Sequence, residues 1–286
     1  MPGAPDVIVV GLRALSFIAI FQAAGTALFL WLFRPQLETT ETGLVRLAAV
    51  AALGGIALTL AHHFLGPARM TGSFSGVFDL SLQTLLLESS AGSARALRVG
   101  GLIVLLLGLR ASPLNYRLAL FGVAATLSSF ALMGHTTTHE LRLLLTPLLI
   151  VHVVIIAFWF GSLLPLIHVT ESESPTVGGN VLNRFSSLAT WSVPLILVAG
   201  ATIWLVLLPG FEALTSSYSK LVFAKAAGFA VLLGLAALNK WRYVPRILSG
   251  DAHALVALRR CIAREWSLMA LIFIVTASLT GFFSPD

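Results

Sequence analysis

The strongest constraint in this chain is a series of apolar runs, each of a length that crosses the hydrocarbon core of a bilayer. They lie near residues 7–33, 44–65, 95–111, 116–133, 143–168, 187–208, 219–239 and 266–283. Hydrocarbon offers no water to satisfy a backbone N–H or C=O, so runs of this kind close their hydrogen bonds internally, as helices. The pattern predicts an all-α integral membrane protein with eight transmembrane helices, a single polytopic domain over residues 1–286. Composition excludes a water-soluble domain, since 57% of residues are hydrophobic, 10% are charged and the mean hydropathy is +0.94. The first run follows Pro2 and Asp6 rather than a basic stretch and shows no small-residue cleavage site. It is expected to stay in the mature protein.

Charge sets the expected orientation. The net charge of +6 does not gather into a patch suited to nucleic acid. It marks a loop instead: Lys240, Arg242, Arg246, Arg259, Arg260 and Arg264 crowd between the last two runs, opposed by Asp251 and Glu265. Loops rich in Lys and Arg stay in the cytoplasm, which puts both termini outside. The loops near 34–43, 112–115 and 169–186 then face in, and those near 66–94, 134–142 and 209–218 face out. Residues 240–265 read as a basic amphipathic helix or loop against anionic lipid, and Phe78 to Glu88 as a short helix on the outer surface. Cys261 is the one cysteine, so neither an internal disulfide nor a paired-thiolate metal site is available. No GxxxxGK[ST] loop appears, and nothing points to ATP-driven work or to an enzyme. Any transport is expected to be passive, ion-coupled or fed by a partner.

Two pairs of segments resemble each other. "SSAGSARALRVGGLIVLLLGL" from Ser89 matches "SSYSKLVFAKAAGFAVLLGLA" from Ser216, with Arg98 over Lys225 and Gly101 over Gly228. "AAGTALFL" from Ala23 sits more weakly beside "WFGSLLPL" from Trp159. The pairs suggest a four-plus-four tandem repeat, with halves of about 1–142 and 143–286 running parallel. Small residues such as Gly25, Gly161, Gly200, Gly228 and Gly234 are expected where helices approach closely.

Histidines supply the candidate chemistry. Thr137 and Glu140 have capping-box spacing, which starts the fifth helix there with His139 in its first turn. His152 then lies roughly 20 Å deeper, where an ionisable side chain is a functional candidate by default. His62, His63, Met133, His135 and His139 fall at the outer end, with Met70 a further candidate. Imidazole suits copper and zinc, and thioether sulfur favours Cu(I), so the set reads as an entry level above a deep copper level. His62 and His63 differ by about 100° around their helix, so one of them is expected to point inward. Trp159 shares the face of His152 as an aromatic packing residue. His168 and His253 read as structural or solvated. Lys225 and Arg98 are expected to snorkel to the outer interface, and Gln22 and Thr26 to bond between helices.

Gly134-His135, followed by "VHVVIIAFWFGSLLPL" from Val151, resembles the copper resistance protein D (CopD) family, in which a histidine, a tryptophan and a glycine recur in this order. The likeness continues through "NRFSSLATWSV" from Asn183, the segment from Ser216, and "REWSLMALIFIVTASLTGFFSP" from Arg264. It implies an eight-helix bacterial inner-membrane protein that moves copper, as Cu(I) or Cu(II), between periplasm and cytoplasm. It also implies a separate periplasmic CopC-like partner. His135 and His152 carry over by motif position, whereas His62, His63, His139 and Met133 rest on topology. The rival reading is a haem b-binding electron carrier or quinone-linked oxidoreductase, with His152 and His62 or His63 as axial ligands.

Overall fold

The computed structural model describes residues 3–111, 115–134, 138–207 and 217–282. Its helices are α1 (Ala4–Phe33), α2 (Glu41–Phe64), α3 (Gly66–Thr71), α4 (Leu80–Glu88), α5 (Ser90–Arg110), α6 (Tyr116–Ser128), α7 (Arg142–Ser172), α8 (Pro175–Leu207), α9 (Ser217–Leu238), α10 (Val244–Leu248) and α11 (Ala252–Phe282). Seven are long and apolar enough to cross a membrane when α2 is taken with α3, and α9 with α10. The expected span at 116–133 falls short of that length: α6 stops at Ser128 and a 3₁₀ turn, Ser129–Leu132, completes it. Ser129 turns its hydroxyl back onto the Thr126 carbonyl at 2.6 Å, a bond that competes with the helical ladder at this point.

The expected 169–186 loop is helical instead, and the 240–265 region, expected as helix or loop, is mostly helix. The 169–186 region is shared between α7 and α8, leaving Glu173 and Ser174 between them. The 240–265 region is likewise absorbed. α9 runs on through a π-helical turn, Asn239–Tyr243, into α10, and α11 starts at Ala252, so Arg259, Arg260 and Arg264 lie on a helix. The short connection is set locally. Gly250 adopts φ +90°, Asp251 Oδ1 accepts the N–H of His253 and Ala254, and Arg246 pairs with Asp251 at 2.7 Å. On the opposite face, α4 lies where a surface helix is expected, with Asp79 accepting the Leu82 N–H.

α1 is the hub, packed against α2, α6, α7 and α11. Its crossing with α7 runs through Gly25 and Gly161. A Cβ on Gly161 would lie 2.5 Å from Gly25 Cα and 2.7 Å from the Phe21 carbonyl oxygen, so only hydrogen fits on either residue. Pro165 has no N–H to offer the Gly161 carbonyl four residues earlier. That freed oxygen accepts Gln22 Nε2 at 3.1 Å and Thr26 Oγ1 at 3.0 Å, and Trp266 donates to Gln22 Oε1 at 3.0 Å. Gln22 and Thr26 thus bond between helices as expected. α5 and α6 meet the same way, through Gly101, Gly108 and Gly122. An aromatic column of Phe130, Phe21, Phe273 and Phe160 fills the centre, with successive ring centroids 4.9–5.2 Å apart.

Candidate functional site

A cavity of about 390 Å³ opens between α7, α8, α9 and α11. Its walls are mainly apolar, from Leu163, Phe185, Val193, Leu233 and Ile262, but Glu265 and Asn239 also line it. Helical spacing puts Glu265 there. Leu258, Cys261, Ile262, Glu265 and Met269 form the buried stripe of α11, while Arg264 points outward. Glu265 is 2% exposed and has neutral partners: Asn239 donates an amide N–H to its Oε1, and the Trp159 indole also bonds it. Asn239 Oδ1 is buried and lacks a partner among the described residues. Cys261, one turn before Glu265, is buried with its thiol 3.8 Å from the Leu235 carbonyl and within hydrogen-bonding reach of Asn239. A thiol, a carboxylate and an amide oxygen therefore meet where a π-helical turn has shifted the register of α9, a distortion frequent at functional sites.

Seven residues before Trp159, on the same face of α7, is His152. Seven residues at about 1.5 Å rise separate the two levels by roughly 10 Å. His152 turns toward α8, where Gly200 leaves room for the ring: a Cβ there would lie 3.2 Å from Cε1 and 3.5 Å from Nδ1. The imidazole bonds the Ile196 backbone, while Nδ1 is buried and unpartnered among the described residues. Lys225 of α9 is within electrostatic range of this ring.

The outer histidines separate. His62 lines a second cavity, of about 320 Å³, together with Arg13, Arg69 and Arg95. Its neighbour His63 is 7% exposed and meets Arg95 through Nδ1 at 2.8 Å, so both histidines turn into the bundle where one was expected. The reach of Arg95 across the α2–α5 interface explains the difference. Arg98 does not snorkel: it is 7% exposed, donates to Ser129 Oγ at 2.9 Å and covers the Phe130 ring at 4.1 Å. His139 precedes α7 rather than opening it, because the helix begins at Arg142. Its Nδ1 accepts the Leu141 N–H at 3.0 Å and its carbonyl the Arg142 N–H. Met133 is half-buried and extended, leading into Gly134 at φ +89°, a conformation that favours glycine. Met70 is exposed. His135 and Thr137 lie outside the described residues. His168 packs against Gly43, and His253 is exposed. Among the described residues, no three His, Cys, Asp or Glu side chains form one metal-holding group.

Comparison with known families decides the class. Residues 179–279 match the family described as copper resistance protein D, and residues 4–143 match copper resistance protein D-like, N-terminal domain. The chain belongs to the copper resistance protein D family. Searches of curated proteins and of solved structures return no match. As a member of that family, it is a multi-pass membrane protein with a function related to copper resistance and transport. The C-terminal match contains Asn239, Cys261 and Glu265; the N-terminal match contains His62, His63, Met133, His135 and His139. Most of α7, with His152 and Trp159, lies between the two.

The sequence reading missed Glu265, Asn239 and Cys261 as a site. Arg264-Glu265 closes a basic run and reads as loop, but the stripe Leu258, Cys261, Ile262, Glu265, Met269 has helical spacing and was available as a signal.

Proposed function

We propose that this protein carries copper across the bacterial inner membrane, from periplasm to cytoplasm, through its C-terminal half. The observation that supports this most directly is the pair of donor-bearing levels along one face of α7. His152 offers an unpartnered buried nitrogen, and about 10 Å deeper the Trp159-bonded Glu265 meets Cys261 and Asn239 beside a cavity. Stepwise exchange needs several weak sites rather than one closed cage. Imidazole hands Cu(I) or Cu(II) on, and the softer sulfur of Cys261 favours Cu(I) at the inner level. Cys261 binds as thiolate, so copper arrival releases its proton, with Glu265 one turn away placed to pass it on. Met133, His135 and His139, adjacent in sequence, collect copper at the periplasmic face, where a separate CopC-like protein delivers it.

Topology completes the reading. Tyr116–Leu132, with 13 α-helical and four 3₁₀ residues, reaches about 28 Å and serves as the fourth of eight crossings. Arg34, Arg110, Arg184, Arg242, Arg246 and Arg259 lie toward the end opposite the N-terminus, which supports a cytoplasmic reading of that end and periplasmic termini. Arg98 of α5 and Lys225 of α9 stand at equivalent places in the sequence repeat, and Gly25 and Gly161 pack face to face. Both support parallel halves of about 1–142 and 143–286.

Copper uptake into proteoliposomes tests the reading. Wild-type protein fills the lumen; His152→Ala, Glu265→Gln and Cys261→Ser each reduce uptake. Binding without lumenal copper would make the protein a buffer, and unchanged uptake in all three variants would overturn the route. Among the described residues the haem reading has no second imidazole across from His152: α8 and α9 carry none and His62 faces the other cavity. A Soret band in the purified protein, sharpening with dithionite, would restore it.

A further inference from the structure

Around the His62 cavity the charge is one-sided. Arg13 of α1, Arg69 of α3, and Arg95 and Arg98 of α5 all act electrostatically on His62. Asp6 is the carboxylate described in contact with them, bonded to Arg69 Nε at 3.0 Å. Among the described residues the other three arginines have neutral partners only, Ser129 and Phe130 in the case of Arg98. Arg13 Nη1 donates to the Thr280 carbonyl at 2.8 Å, and Arg95 Nη1 meets His63. Arg95 Nε is buried and has no partner among the described residues. A guanidinium has five N–H donors, and Arg13, Arg69 and Arg95, each with donors beyond those bonds, line the cavity of about 320 Å³. Like charges held together in a poorly polarisable setting repel strongly. An arrangement of four cations against one carboxylate asks for an anion.

We infer that this cavity is a phosphate-group site, filled by the headgroup of an anionic phospholipid. Forked guanidinium donors match the oxygens of phosphate and hold them from several sides. The position suits a lipid. The cavity lies at the end of the bundle beneath α3 and α4, and the surface segment containing α4 exposes Phe74, Phe78, Leu80, Leu85 and Leu87, the side chains of a segment lying in the headgroup layer. Its lining is amphipathic: beside the arginines stand Met70 and Leu86, which suit the glycerol and first methylenes of a lipid and have nothing to offer a free ion. Inorganic phosphate shares the recognition chemistry, and the experiment separates the two sources.

The test uses full-length protein in vesicles of phosphatidylcholine with or without phosphatidylglycerol, and in detergent with inorganic phosphate. The readouts are Tm and, by native mass spectrometry, retained lipid. Phosphatidylglycerol is expected to raise Tm by about 5 °C and to remain bound to wild-type protein, while Arg13→Gln and Arg95→Gln lose both effects. The Gln variants also relieve repulsion, so in pure phosphatidylcholine they are expected to be at least as stable as wild type. Lower stability in both lipids would mark the arginines as merely structural and overturn the site. Should either Gln variant fail to fold, Arg95→Lys keeps the charge without the fork and is expected to show a reduced rise. An equal rise with inorganic phosphate alone would overturn the lipid source. No rise with either probe, or one undiminished in the variants, would overturn the site itself.

Discussion

The two cavities offer opposite chemistry. Between α1, α2, α3 and α5, guanidinium groups outnumber carboxylates; between α7, α8, α9 and α11, a carboxylate is bonded by two neutral side chains, Asn239 and Trp159. A protein in a bilayer has little water to satisfy buried polar groups, so each lining indicates the kind of partner it takes. A copper ion passing His62 would face four arginines, whereas beside Glu265 it meets a carboxylate and a thiol. On the proposed reading the C-terminal half is the cation route and the N-terminal cavity an anion site. The sharpest test is Glu265→Gln, which keeps the shape and removes the ionisable group. It is expected to cut proteoliposome copper uptake at least tenfold, about 1.4 kcal/mol or more, and to leave the phosphatidylglycerol-dependent rise in Tm intact. Loss of both together would show that the two cavities are not independent.

The halves are joined where α1 crosses α7, and the next effect concerns that joint. Gly161→Val places methyl groups inside the space of the Gly25 backbone and the Phe21 carbonyl. Overpacking against main chain that cannot rotate aside should cost about 3 kcal/mol. A drop in Tm of roughly 6 °C or more in detergent would register it. The Gly200→Ala variant is the useful contrast. Its new methyl group would press on the His152 ring at 3.2–3.5 Å and not on backbone, so it should shift copper affinity more than Tm.

The two regions differed in how far the sequence revealed them. Membrane runs, the α1–α7 glycines and the depth of His152 follow from length, residue size and helical rise, all local properties. The ends of the helices were harder, because α7, α8 and α11 continue past their apolar cores into Arg- and Glu-bearing turns whose side chains lie at the edge of the bilayer. Glu265 was hidden by this: next to Arg264 it reads as part of a charged loop, and its inward direction appears once Cys261, Ile262 and Met269 are set on one helix. The arginine cavity had no sequence signal. Arg13, Arg69 and Arg95 come from three helices, and tertiary packing is what assembles them.

A smaller effect refines the cation route from the side of Lys225. The ammonium group acts on His152 across the α7–α9 interface and opposes a cation there. Lys225→Gln should therefore tighten copper binding at the His152 level by about threefold, measured by calorimetric titration of detergent-purified protein. Unchanged affinity in Lys225→Gln, with binding still sensitive to His152→Ala, would mean that Lys225 carries its charge away from the bound ion.

The smallest effect lies at the seam between halves, at the end away from the N-terminus. There Glu173, after α7, accepts the backbone N–H groups of Glu38, Thr39 and Thr40 and the Thr40 hydroxyl, fixing the α1–α2 connection to the other half. Partial burial pushes its carboxyl up, but these hydrogen bonds to the charged form outweigh burial and hold it below the usual carboxylate range. A depressed folded-state pKa stabilises above the unfolded value, near 4.5, and the benefit is lost as pH falls through the lower folded value. Glu173→Gln should therefore lower Tm by about 1–2 °C at pH 7 and lose that deficit in acid, as wild type gives up its own advantage. A deficit that persisted at acid pH would show that packing, rather than the charged hydrogen bonds, makes Glu173 hold the two halves together.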